Sequence, residues 1–206
     1  MTTTTEPCPT CGKPPSICIC DRCAPMDVRT SVVVLQHPQE QDVNLGTAPI
    51  LERTVGAVRK VGLSWPNLAD AIGGEPKGRW AVLYPSSLPR DLTPQELEAP
   101  TVVLDRNGAS VLVKLDGIIL LDGTWSQAKA LWWRNAWLLK LDRLIVRPRE
   151  PSIYGKMRKE PRKEYVSTLE AAADALVANG EPESVRTELR RLMRTMVQRA
   201  RDAAPA

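Results

Sequence analysis

The chain has 206 residues, 43% of them hydrophobic, with 28 basic against 24 acidic side chains and a formal charge of +4. That length and composition suffice for one substantial core with at most a small appendage, and they argue against a disordered chain. No apolar run approaches a membrane span, and Met1 to Glu6 lacks the basic start and apolar middle of a signal peptide, so the cytoplasm is the expected compartment.

All five cysteines precede residue 24, at Cys8, Cys11, Cys18, Cys20 and Cys23, in a stretch rich in proline and glycine that cannot form a core alone. In a cytosolic chain such clustering points to metal rather than disulfides, and Cys8-x-x-Cys11 with Cys18-x-Cys20 supplies four thiolates for tetrahedral zinc. A closed thiolate shell would compensate the folding entropy that so short a segment cannot otherwise meet. Two alternatives stay open: Cys23 in place of Cys20 as fourth ligand, and a free redox pair. The expected organisation is a zinc-binding segment over 1–28 followed by one α/β domain over 29–206.

Ser31 to Gln36 reads as a β-branched strand that ends in the polar turn Gln36-His37-Pro38-Gln39-Glu40. Asn44 to Lys60 is predicted helical, with Pro49 in its first turn, and residues 62–78 form a loop broken by prolines and glycines. Trp80 to Tyr84 is the next strand, stopping at Pro85-Ser86, and Thr93-Pro94-Gln95-Glu96 carries an N-cap, a first-turn proline and a capping glutamate. Thr101 to Leu104 is a strand, and the Asn107-Gly108 turn with Val111 to Leu115 suggests a hairpin. A helix over Trp125 to Leu141, a strand over Arg143 to Val146, an alanine-rich helix opened by Ser167 and ended by Asn179-Gly180, and a basic amphipathic helix over Pro182 to Arg201 complete the pattern. Strands alternating with helices indicate an α/β class.

Between the hairpin and the first of these long helices lies the most informative stretch. Ile118 to Leu121 suits a buried strand, and Thr124 with Gln127 has the reciprocal spacing of a capping box. Asp122 therefore sits at the carboxyl end of a strand beside free helix N–H groups, where open α/β sheets place ligands. Tyr84, Pro85 and Ser86 mark a second strand end. Ser167 and Thr168 open a helix, so they either cap it or meet a carboxylate. His37 is the only histidine; beside Pro38 and close to Glu40, it is expected to bond within its loop rather than to catalyse. Trp132, Trp133 and Trp137 are expected to be mostly core, with Trp133 and Trp137 sharing a face.

Charge is unevenly placed. Arg134 to Lys163 holds ten basic residues against Asp142, Glu150 and Glu160. Within it, Lys156 to Lys163, flanked by Tyr154 and Tyr165, has the lysine and arginine that contact phosphates and the rings that stack on splayed bases.

Five ordered motifs now carry a resemblance. They are the Cys8, Cys11, Cys18, Cys20 set; His37-Pro38-x-Glu40 followed by Asn44; Tyr84-Pro85-Ser86; Asp122-Gly123-Thr124-Trp125; and Tyr154 through Arg158-Lys159-x-Pro161-Arg162 to Ser167-Thr168-Leu169-Glu170-Ala171. The chain resembles the DTW-domain family of tRNA-uridine aminocarboxypropyltransferases over nearly its whole length. It departs from the family at Leu45-Gly46-Thr47, inserted after Asn44, and in the elaborated hairpin before Asp122.

The resemblance implies a fold similar to the SPOUT class: a mostly parallel sheet flanked by helices, with the C-terminal part threaded as a knot that holds S-adenosylmethionine. True knots are rare, and without the resemblance a doubly wound sheet is the expectation. It further implies transfer of the 3-amino-3-carboxypropyl group from S-adenosylmethionine to N3 of a tRNA uridine. In that reaction Asp122 is the candidate base, and Tyr84, Pro85, Ser86, Gly123, Thr124, Trp125, Ser167 and Thr168 would bind S-adenosylmethionine. His37, Glu40, Asn44, Arg158, Lys159 and Arg162 would face the tRNA. A methyltransferase and a non-catalytic zinc-containing RNA-binding protein are the competing functions; oligomeric state stays open.

Overall fold

The computed structural model describes residues 6–85, 87–155, 157–158 and 166–204. Six strands form one sheet: β1 (Ser31–Gln36), β2 (Val58–Val61), β3 (Trp80–Leu83), β4 (Thr101–Leu104), β5 (Gly117–Asp122) and β6 (Asp142–Val146), in the order β2-β1-β5-β3-β6-β4. All neighbours pair in parallel except β4, which runs antiparallel to β6 at the edge. The register sets Gln36 opposite Asp122 and Leu83 opposite both Leu120 and Leu144, so four central strands finish at one rim of the sheet.

Side chains alternate across the pleat, and both faces of the central strands are apolar, as a sheet covered on both sides requires. Val32, Val34, Ile118 and Leu120 pack against α1 (Ala48–Val55), α5 (Thr168–Ala178) and α6 (Glu183–Asp202), together with Ile17 and Ile19 from the cysteine segment. Val33, Leu35, Val82 and Ile119 face the other way, toward Ala71 of α2 (Leu68–Ile72) and Leu138. The short helix α3 (Pro94–Glu98) starts with the expected capping box on Thr93 and Glu96. Among the described residues no helix is long and apolar enough to cross a membrane.

Several element boundaries differ from the sequence reading. The helix expected over Asn44 to Lys60 ends at Gly56, whose φ of 64° closes it through a bond to the Leu51 carbonyl. Val58 then begins an edge strand. The loop over 62–78 contains α2, capped by the Asn67 side chain on Asp70 N and ended at Gly73. Val111 to Leu115 forms no strand; one bridge, Leu104 with Ser110, is what remains of the hairpin.

The helix expected over Trp125 to Leu141 stops at Arg134 (α4, Trp125–Arg134) and a 3-10 helix follows over Ala136–Lys140. Asn135 breaks it. Fully buried, it accepts from Trp65 N and donates to the Leu63 and Leu131 carbonyls, tethering a loop some 70 residues earlier. Trp133 and Trp137 consequently do not share a helical face: Trp133 is 69% exposed, while the Trp137 indole donates to the Trp65 carbonyl.

Gly117 starts β5 directly opposite Trp80, and a Cβ there would lie 2.4 Å from the indole ring. Gly117→Ala is expected to cost about 3 kcal/mol, high in the range for overpacking, because two strands and a ring must move together. Urea denaturation measures it; an unchanged midpoint would mean that the sheet relaxes around the methyl group.

Candidate active site

The rim where the four parallel strands end is hollowed into a cavity of about 480 Å³. Its walls take Leu83, Leu120, Asp122 and Val146 from the sheet, Tyr84 and Pro85 after β3, Gly123 to Trp125 after β5, Pro148 after β6, and Ser167, Thr168 and Ala171 at the start of α5. Such a size, with apolar walls and a few polar groups, suits a small-molecule ligand.

Asp122 is 5% exposed, and both carboxylate oxygens are engaged: Oδ1 accepts from Thr168 Oγ1 at 2.6 Å and Oδ2 from Gln36 Nε2 at 2.7 Å. Arg59 Nη1 in turn donates to Gln36 Oε1 at 3.1 Å, fixing which way the amide faces. Two donors on opposite sides lock the carboxylate plane, and each oxygen keeps a lone pair for a further donor. Gln36, the last residue of β1, escaped the sequence reading; a buried glutamine closing a β-branched run was the available signal.

Thr124 caps α4 reciprocally with Gln127, as the spacing predicted. Gly123 makes that cap possible, since a Cβ there would lie 2.9 Å from Gln127 Cβ and 3.4 Å from His37 Cβ. Tyr84 stacks on Trp132 at 4.3 Å and on Trp125 at 6.2 Å, so Trp132 reaches the cavity edge through Tyr84. Ser86 lies outside the described residues.

Ser167 is the N-cap of α5 in a capping box with Glu170, and its hydroxyl donates to Glu170 Oε2 at 2.8 Å. Glu170, fully buried, also takes bonds from Ser152 Oγ and Ile153 N, pinning the segment before Tyr154 against the helix start. Thr168, next in the chain, spends its hydroxyl proton on Asp122.

The loop after β1 reaches the cavity through Thr47. His37 Nδ1 accepts from Gln39 N within its own turn, and the ring is not among the cavity walls. Glu40 is 3% exposed and receives Arg158 Nη2 on both oxygens at 3.0 Å. Arg158 lies over the Tyr154 ring, 5.7 Å from its centre, and lines the cavity. Tyr154 donates its hydroxyl to the Leu45 carbonyl at 2.6 Å, and burial pushes its phenol pKa up. Asn44 contributes its backbone: its carbonyl accepts from Lys13 Nζ at 2.7 Å, with Val43 O at 3.3 Å. Lys13, 5% exposed, had no sequence signal. Burial lowers its pKa, opposed by the charges of Cys11 and Asp122. Lys159, Arg162 and Tyr165 lie outside the described residues, as does most of the stretch from Lys156 to Lys163.

The Sγ atoms of Cys8, Cys11, Cys18 and Cys20 lie within 4.8 Å of one another, with Cys8–Cys20 at 3.9 Å and Cys11–Cys18 at 3.7 Å. Four sulfurs around a tetrahedral ion at about 2.3 Å sit about 3.8 Å apart, so the donor set could hold a metal ion. Backbone N–H groups of Cys11 and Thr10 lower Cys8 to about 6, while burial raises Cys18 and Cys20. Thiols this crowded cannot all ionise unless a cation sits among them. Cys23 stands outside the cluster, its Sγ directed at the Ile19 carbonyl at 3.5 Å.

The family model of the DTW domain matches residues 5–201. The chain belongs to the DTW domain family. Among curated relatives, tRNA-uridine aminocarboxypropyltransferase 2 of Mus musculus is 29% identical over 177 residues, covering 82% of this chain and 55% of the relative. The Drosophila melanogaster protein of the same name is 31% identical over 194 residues, covering 90% of this chain and 71% of the relative. The chain spans about half the length of the mouse relative and of its Macaca fascicularis counterpart. No solved structure matches it significantly. In this DTW domain the aspartate, threonine and tryptophan of the family name, Asp122, Thr124 and Trp125, line one cavity with Tyr84, Thr168 and Arg158.

Proposed function

We propose that this DTW domain protein moves the 3-amino-3-carboxypropyl group of S-adenosylmethionine to the ring N3 of a tRNA uridine, leaving methylthioadenosine. The observation that carries the reading is a cavity of nucleoside-ligand size with the anchored carboxylate of Asp122 at the strand ends, in a chain whose curated relatives bear that activity in their names. A SPOUT-like threading of the C-terminal part belongs to the same proposal, as does a division into a zinc segment over 1–28 and a catalytic domain over 29–206.

S-adenosylmethionine brings its own leaving group, because the sulfonium departs as a neutral thioether when the Cγ–S bond breaks and the N3–Cγ bond forms. The difficulty lies at the uridine, whose N3 holds its proton near neutral pH. In this reading Asp122 takes it, a role supported by the two bonds from Gln36 and Thr168 that aim its buried carboxylate. Leu83, Leu120 and Val146 offer an apolar surface to the adenosine, and Trp125, 37% exposed at the cavity wall, offers a ring face to a base. In this reading zinc is held by Cys8, Cys11, Cys18 and Cys20 as a structural ion, and the basic stretch from Lys156 to Lys163 meets the tRNA through Lys159 and Arg162, while Arg158 turns into the cavity.

The test is incubation with unmodified tRNA and S-adenosylmethionine labelled differently in its methyl and carboxyl carbons. Carboxyl label in the RNA without methyl label is expected. Methyl label would make the protein a methyltransferase, and neither label would favour a binding module.

A further inference from the structure

Among the described residues, Arg158 is the one cationic side chain lining the cavity, and its pairing is incomplete. Glu40 takes a single nitrogen, Nη2, with both of its oxygens. Among the described residues no other carboxylate is paired with the guanidinium, which lies against Tyr154, and the side chain as a whole stays 26% exposed. A guanidinium carries five donors in a rigid fork, so Nε and Nη1 keep capacity for an anion that enters the cavity. Glu40, at 4% side-chain exposure, acts as the fixed anchor that aims the fork.

The two hydroxyls at the start of α5 are already engaged. The Ser167 hydroxyl donates to Glu170, the Thr168 hydroxyl to Asp122, and both Asp122 oxygens already hold donors. The first turn of the eleven-residue helix α5, which also lines the cavity, adds the positive end of its dipole. Arg158, set between Glu40 and Tyr154, meets the cavity as one of its walls, where a small planar anion fits the free edge of the fork.

We propose that Arg158, aimed by Glu40, binds the α-carboxylate of the amino-acid tail of S-adenosylmethionine. The proposal rests on the use of S-adenosylmethionine argued above and assigns the part of that molecule which is transferred. With the adenosine on the apolar wall and the tail carboxylate on Arg158, the γ-carbon is held between two fixed ends.

Calorimetric titration of the full, metal-loaded chain with two ligands tests this: S-adenosylmethionine, and 5′-methylthioadenosine, which keeps the adenosine and sulfur but lacks the tail. Arg158→Met is expected to weaken S-adenosylmethionine about tenfold or more, equivalent to about 1.4 kcal/mol, while leaving methylthioadenosine unchanged. Because Arg158→Met strands Glu40 as a buried charge, the comparison is repeated in the Glu40→Gln/Arg158→Met double variant, where the same selective loss is expected. Equal weakening of both ligands in the double variant would make Arg158 a frame for the loop and overturn the proposal. Unchanged S-adenosylmethionine affinity with weakened tRNA binding would make it a phosphate contact, and overturn it too. If the unaltered protein bound neither ligand, the proposed donor itself would fall, a result that cannot be confused with a failure of Arg158 alone.

Discussion

Asp122→Asn is expected to lower aminocarboxypropyl transfer by about 100-fold or more, the lower end of what a positioned general base supplies, with S-adenosylmethionine affinity unchanged. The substitution is informative because the site can absorb it. The asparagine oxygen can accept from Gln36 Nε2 as Oδ2 does now, and its amide can donate to Thr168 once that hydroxyl turns from donor to acceptor. Shape, cavity and anchoring persist; only the charge and the proton-accepting capacity go. Asp122→Ala, by contrast, leaves Gln36 and Thr168 without their shared partner and mixes positioning with chemistry. Single-turnover transfer of carboxyl label, alongside calorimetric binding, separates the two. Full activity at unchanged affinity would remove Asp122 as the base and leave it an orienting residue.

What the sequence could reveal about this site divides by range. Thr124 with Gln127, Ser167 with Glu170 and Thr93 with Glu96 each close a hydrogen-bonded box within four residues, and all three were readable from spacing alone. The buried strands β1, β3, β5 and β6 were readable as short apolar runs. Val58-Arg59-Lys60-Val61 was not, because an edge strand with two charged residues continues a helical pattern locally and owes its conformation to pairing with β1. The break at Asn135 depends on partners near residues 63 and 65, and the Glu40–Arg158 pair spans 118 residues. Neither has a local signature. The cavity is likewise a product of strand order: β3 lies between β5 and β6, which brings Tyr84 beside Asp122, and no periodicity encodes that order.

The second large effect concerns the cysteines. Protein purified without chelator is expected to carry one zinc per chain, and stripping it should lower the melting temperature by roughly 6–24 °C. The segment over 6–28 has little secondary structure of its own, one 3-10 turn over Cys20–Arg22, yet it buries Ile17 and Ile19 in the main core. Losing those two side chains from the core removes roughly 3–6 kcal/mol at about 1.5–3 kcal/mol each. For a chain of this size each kcal/mol is worth about 2–4 °C. The loss should also reach the cavity. Lys13, held in the knuckle by the bond from Cys8 N to its carbonyl, supports the Val43 and Asn44 carbonyls; the next residues hold Tyr154 through Leu45 O and line the cavity through Thr47. Stripped protein should therefore bind S-adenosylmethionine more weakly, although no cysteine touches the cavity. Cys20→Ser should abolish stoichiometric zinc and Cys23→Ser should leave it intact, because the Cys23 thiol lies outside the four-sulfur cluster. A zinc-to-protein ratio near zero in the unaltered chain would remove the metal and leave the thiols as a redox pair.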